Sequence, residues 1–129
     1  MTHFSPDSPA AFGYRMPPEW APHRGTWLSW PHKEASWPGK FEPVPHIFAR
    51  MVAALAPHEE VHINVRDADM ESAVRDVLAA DTSGGVNVFY HHHPTNDAWC
   101  RDHGPIFLQR RQGGEPAEAI VDWKYNAWG

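Results

Sequence analysis

The run Thr95-Asn96-Asp97-Ala98-Trp99-Cys100-Arg101-Asp102-His103-Gly104-Pro105-Ile106 places an indole, a guanidinium and two carboxylates between Asp97 and Asp102, ahead of a Gly-Pro breaker. A carboxylate beside an aromatic plane suits a flat, delocalised cation. The oxygens accept paired N–H bonds in the fork geometry of a guanidinium, and the ring offers its face to the charge. On this reading Asp102 holds the cation and Trp99 walls it. The same residues also admit a purely local reading, in which Arg101 pairs with Asp97 or Asp102, Asp97 caps a turn and Trp99 is core. A second stretch, Asp122-Trp123-Lys124-Tyr125-Asn126-Ala127-Trp128-Gly129, again sets acid beside aromatic rings.

Two other groupings invite chemistry and carry less. His91-His92-His93 lies near Cys100 and His103. Neighbouring side chains on a strand point to opposite faces, so at most His91 and His93 could share a metal. There is no Cys-x-x-Cys, no two of His91, His92, His93, Cys100 and His103 stand at the helical i, i+4 spacing, and a polar strand end is the expected role. Cys100 lies three residues from His103, but nucleophile and base in thiol enzymes meet through the fold and not through sequence proximity. Cys100 is therefore read as structural or incidental, and His23, His32, His46, His58 and His62 receive no role.

The elements that must position these residues follow from periodicity. Residues 1–24 are loop-like, with five prolines from Pro6 to Pro22. Thr26–Trp30 is rich in strand formers and stops at Pro31. Val44, Ile47, Phe48, Met51, Val52 and Leu55 repeat at helical spacing up to Pro57. Val61–Val65 alternates as a strand. Asp67 or Asp69 can cap a second helix with the stripe Met70, Val74, Val77 and Leu78, followed by the breaker Gly84-Gly85. Val86–Tyr90 alternates again, so the strands flanking the second helix are expected to be parallel, joined by a right-handed crossover. Ile106–Leu108 and Ala119–Val121 form a hairpin pattern around a polar link with Gly113-Gly114. The fold class is α/β. The acid-aromatic run follows a strand, where such folds place ligand-binding groups.

Composition narrows the class. Apolar residues are 42% and charged residues 21% of the 129, a globular balance. Seven Trp call for burial or a ligand. Net charge is −5 with no basic run, which argues against nucleic acid as a partner. Cys100 is the only cysteine, so no intrachain disulfide can form. The start has neither the basic nor the apolar region of a secretion signal, and no apolar run is long enough for a bilayer. A cytoplasmic, non-membrane protein is the expectation.

Three ordered motifs carry a resemblance. Met16-Pro17-Pro18-Glu19-Trp20 with His23-Arg24-Gly25-Thr26-Trp27-Leu28-Ser29-Trp30-Pro31 resembles the opening of agmatine deiminases. Asn96 to Pro105 resembles their Asn-Asp-x-Trp-x-Arg-Asp-x-Gly-Pro motif, and Asp122 to Gly129 their Asp-Trp-x-x-Asn-Ala-Trp-Gly stretch. The resemblance runs from about Tyr14 to Gly129 and covers roughly the first third of a typical member.

It implies a partial α/β propeller of the pentein type, with residues 1–129 the N-terminal portion of one catalytic domain and the first module or so of a five-fold pseudosymmetric fold. It implies hydrolysis of agmatine to N-carbamoylputrescine and ammonia, with no metal or organic cofactor. In that mechanism two carboxylates hold the guanidinium, a cysteine thiolate attacks its carbon, a histidine protonates the departing ammonia, and water releases the thioether. Asp102 then becomes one of the two carboxylates, with Trp99 and Trp128 lining the substrate pocket. Cys100 falls at a variable position of the motif. The family's nucleophilic cysteine, its histidine and its further acids lie in later modules, so the chain as given is expected to be an inactive fragment that folds poorly alone. Partners are expected to be a small guanidine and, in some form, a second copy. Peptidyl-arginine deiminase is the alternative within enzymes; the absence of extra cations in Asn126-Ala127-Trp128-Gly129 favours an amine substrate. A guanidine-binding fragment without turnover and a His-rich metal module are the readings from other classes.

Overall fold

The computed structural model describes residues 7–81, 87–110 and 117–126. In chain order the strands and helices are β1 (Gly25–Ser29), α1 (Val44–Leu55), β2 (Glu60–Val65), α2 (Ala68–Asp81), β3 (Val88–His92), α3 (Cys100–His103), β4 (Ile106–Arg110) and β5 (Ala117–Val121), with short 3-10 turns at Pro9–Phe12 and Glu34–Ser36. Two units result. One runs from His23 to Cys100, and the other joins the chain up to Pro22 with the chain from Arg101 onward.

The His23–Cys100 unit is built on a parallel sheet in the order β1-β2-β3. Thr26 faces Val61 and Ile63 faces Tyr90 across the two ladders. β2 is central. Its Val61, Ile63 and Val65 are at most 1% exposed, because α1 and α2 pack against β2 and against each other. Leu28, Trp30, Val52, Val74 and Leu78 complete that core. Parallel strands covered by helices bury apolar runs in this way. At Gly25 the two strands approach so closely that an added Cβ would meet the Glu60 carbonyl oxygen and sit 2.9 Å from the Glu60 Cβ. The opposite sheet face carries Trp27, Ser29, His62, Asn64, Phe89 and His91.

α1 has the predicted bounds. Pro45, in its first turn, removes an N–H that would lack a partner anyway. Its buried face is rotated from the predicted stripe. Ile47 and Met51 are exposed, while Ala49, which the stripe omitted, is fully buried. A methyl side chain lets the helix lie close to its neighbours, and hydrophobicity alone does not mark such a position. α2 starts as expected, with Asp67 Oδ1 accepting the Met70 N–H at 2.9 Å. Val74 and Leu78 are buried, and Met70 and Val77 pack beside them. β3 begins two residues later than predicted and extends to His92. The predicted strand start at Val86 and the Gly84-Gly85 breaker lie outside the described residues.

In the other unit, β4 and β5 form the expected antiparallel hairpin, with Phe107 opposite Ile120; its Gly113-Gly114 link lies outside the described residues. Arg15 bridges to Gln109 through reciprocal backbone bonds of 2.9 Å, tying the N-terminal segment to β4. The Arg110 guanidinium lies 5.0 Å from the Tyr14 ring centroid. Gly13, at φ 80°, closes the first 3-10 turn in the left-handed region that favours glycine.

Candidate active site

The loop after β3 is shaped by Asp97. Its Oδ1 accepts the Ala98 N–H at 2.7 Å, and its Oδ2 accepts the Ser36 hydroxyl at 2.6 Å. Both oxygens are thereby engaged. Asp97 does organise a turn, as the local reading held, but it also fastens this loop to the one around the Glu34–Ser36 turn. Trp99 follows, its ring 5.6 Å from Trp37 at a tilt of 32°. It is 44% exposed, so it is not the core residue of the local reading.

Cys100 lies half-buried at the start of α3. Its thiol donates to the Ser29 hydroxyl at 3.1 Å, and the Asn64 amide donates to the same oxygen at 3.4 Å. Burial pushes the thiol up, and bonds from Ser29 offset this only in part. A neutral thiol is a weak nucleophile, and the bond to Ser29 gives Cys100 a packing partner.

α3 itself was not foreseen. Four residues hold too little period to declare a helix. Arg101 pairs with Glu19 and not with Asp97 or Asp102. Asp102 is exposed, and among the described residues its carboxylate has no hydrogen-bond or ion-pair partner. Of the two carboxylates in the motif, one is spent on structure and the other is available. The His103 ring lies 6.4 Å from that of Tyr125, and its buried Nε2 has no partner among the described residues. Trp128 lies outside the described residues.

The histidines take structural partners. His62 Nδ1 and His91 Nε2 share a bond of 2.9 Å, with Trp27 stacked over both rings at 4.7 and 4.6 Å. His92 bonds Glu71 at 2.7 Å, and His93 bonds Asn64 at 3.2 Å. Among the described residues, no group of three His, Cys, Asp or Glu side chains stands close enough to hold a metal ion. His62, given no role from the sequence, is the centre of this cluster; its alternation with Glu60 and Asn64 on β2 was the available signal. Ser36 was missed, and nothing in the sequence around it marks its bond to Asp97.

With this geometry in place, likeness to known proteins becomes informative. The family model for the Porphyromonas-type peptidyl-arginine deiminase matches residues 15–129. The chain belongs to this family. An agmatine deiminase of Ectopseudomonas mendocina is 38% identical over 122 residues, which are 95% of this chain and 31% of that protein. The agmatine deiminase structure from Enterococcus faecalis superposes with a TM-score of 0.75 at 29% identity, covering 94% of this chain and 30% of that one. A substrate-bound agmatine deiminase from C. jejuni shares the fold at a TM-score of 0.68 and 22% identity, over 89% of this chain and 31% of that one. The chain thus spans about a third of the length of the deiminases it matches. Its mixed α/β structure with a parallel sheet corresponds to that third of their pentein fold. Among the described residues no helix is long and apolar enough to cross a membrane.

Proposed function

We propose that residues 1–129 are the N-terminal portion of a single deiminase catalytic domain, the first module or so of a five-fold pseudosymmetric propeller, and that the whole enzyme hydrolyses agmatine to N-carbamoylputrescine and ammonia. Asp102 binds the guanidinium, Trp99 walls its plane, and Trp128 helps to line the pocket. The observation that supports this most is the division of labour between the motif's two carboxylates. Asp97 has both oxygens committed to Ser36 and Ala98, while Asp102 keeps its charge exposed and free of described partners. A carboxylate without an internal cation can give its full charge-assisted bonding to a substrate guanidinium. The nucleophile is a cysteine other than Cys100, in the part of the family's length that this chain does not span.

The choice of agmatine rests on the 38% identity to an agmatine deiminase. The description of the matching family model favours peptidyl-arginine as the second reading. One experiment addresses both. In a chimera, residues 15–129 replace the matching third of the Ectopseudomonas mendocina enzyme, and ammonia release is measured from agmatine and from a blocked arginine peptide. Turnover of agmatine is the expected result. Release from the peptide alone would establish the second reading, and a folded chimera inert to both would overturn the deiminase assignment.

A further inference from the structure

Ser36 and Asp97 stand 61 positions apart, yet their side chains meet at 2.6 Å. Each sits beside an indole. Ser36 directly precedes Trp37, and Asp97 lies two residues before Trp99. The two indoles are 5.6 Å apart, and Phe41 lies 6.0 Å from Trp37. Trp37 is half-buried, whereas Trp99 leaves 44% of its surface open. Neither loop has a ladder of backbone bonds at these rings. Residues 93–99 are outside regular structure, and the neighbouring 3-10 turn ends at Ser36. A hydrogen bond onto an ionised oxygen is about twice as strong as a neutral one, and it is directional.

We propose that the Ser36–Asp97 hydrogen bond is a latch that sets the position of the Trp99 ring, making Ser36 and Asp97 positioning residues for the guanidine-binding wall. The inference rests on the reading of Trp99 as that wall. Asp97 acts through Trp99 and not on the substrate, because its two oxygens are already taken. Without the Ser36 hydroxyl, one Asp97 oxygen turns to water and the loop drifts. A ring displaced by about 1 Å holds its ligand less well, while groups elsewhere still carry out the bond-breaking step.

The test has two arms. Paired indoles at this separation couple excitonically, and W99F in the chimera defines their circular dichroism couplet by difference. S36A should remove most of that couplet with the helical signal unchanged, and S36T, which keeps the hydroxyl, should restore it. S36C keeps the volume without a strong donor and carries the same readout if S36A does not fold. In the chimera, S36A should raise the KM for agmatine roughly 3- to 30-fold with kcat held within about twofold, and S36T should recover it. An intact couplet in folded S36A overturns the latch. A lost couplet with unchanged KM upholds the latch and overturns Trp99 as the substrate wall, so the two failures are told apart. An equal fall in kcat and kcat/KM would overturn the positioning role.

Discussion

Asp102 presents a charge that no described side chain neutralises, so a bound cation gains the whole of it. Asp102→Asn keeps the shape, removes the charge and sets N–H donors against the donors of a guanidinium. In the chimera, kcat/KM for agmatine should fall by on the order of 10²-fold or more; activity within a few-fold of the parent would remove Asp102 from the site. Cys100 sits at the other extreme. Its thiol is held neutral by burial and donates to Ser29, so Cys100→Ser should leave turnover within roughly an order of magnitude, as expected for a packing position. A covalent substrate adduct on Cys100, seen by mass spectrometry, would contradict this. Asp102 and Trp99 were legible as candidates because acid, indole and spacing are local properties. The partners that separate the two carboxylates were not. Ser36 lies 61 positions from Asp97 and Glu19 lies 82 from Arg101, and single polar pairs at such distances leave no periodic trace.

At the scale of elements, what repeats can be read, and what depends on a neighbour cannot. Six apolar residues in register and a closing Pro57 gave α1 its bounds, yet only the packed sheet shows that Ala49 and not Ile47 is inside. β2 alternates cleanly because one face meets helices and the other carries Glu60, His62 and Asn64. That second face has a pH consequence. His91 is held below the ordinary histidine value, first by burial and then by the neighbouring His62 and His93. Above the unfolded value of about 6.5 neither state binds this proton; below it the unfolded chain binds the proton more readily, so stability is lost as pH falls. The 2.9 Å bond to His62 acts in the same direction, since it needs one neutral ring nitrogen as acceptor. Thermal midpoints should therefore drop between about pH 7.5 and about pH 5.5, and H91Q should flatten that drop. Glu71, held down first by its bond to His92 and then by Arg75, loses its contribution only in the more acidic range of carboxylates. Asp67→Ala removes the bond to the Met70 N–H and should lower the urea midpoint relative to the parent, whereas Asp67→Asn, which keeps an accepting oxygen, should recover most of the loss.

For the whole molecule, the decisive quantity is what the chain leaves uncovered. Helices cover one face of the β1-β2-β3 sheet, while on the other Trp27 is 44% and Phe89 43% exposed. In the hairpin, the cross-strand neighbours Phe107 and Ile120 are 55% and 60% exposed. Among the described residues β1 and β3 are the edges of the sheet in their own unit, and such edges present backbone groups for pairing. Apolar rings beside open edges favour association over a monomer in water. The deiminases that the chain matches are about three times as long, which gives such surfaces room to be covered. The 129-residue chain alone is therefore expected to sediment as concentration-dependent oligomers and to melt broadly. It should also release no ammonia from agmatine, because its one cysteine is half-buried, its thiol pushed up by that burial and bonded to Ser29. A sharp, concentration-independent monomeric transition would refute the first half. Ammonia release that scales with the purified chain and vanishes in Cys100→Ser would refute the second, and with it the assignment of the nucleophile to another cysteine.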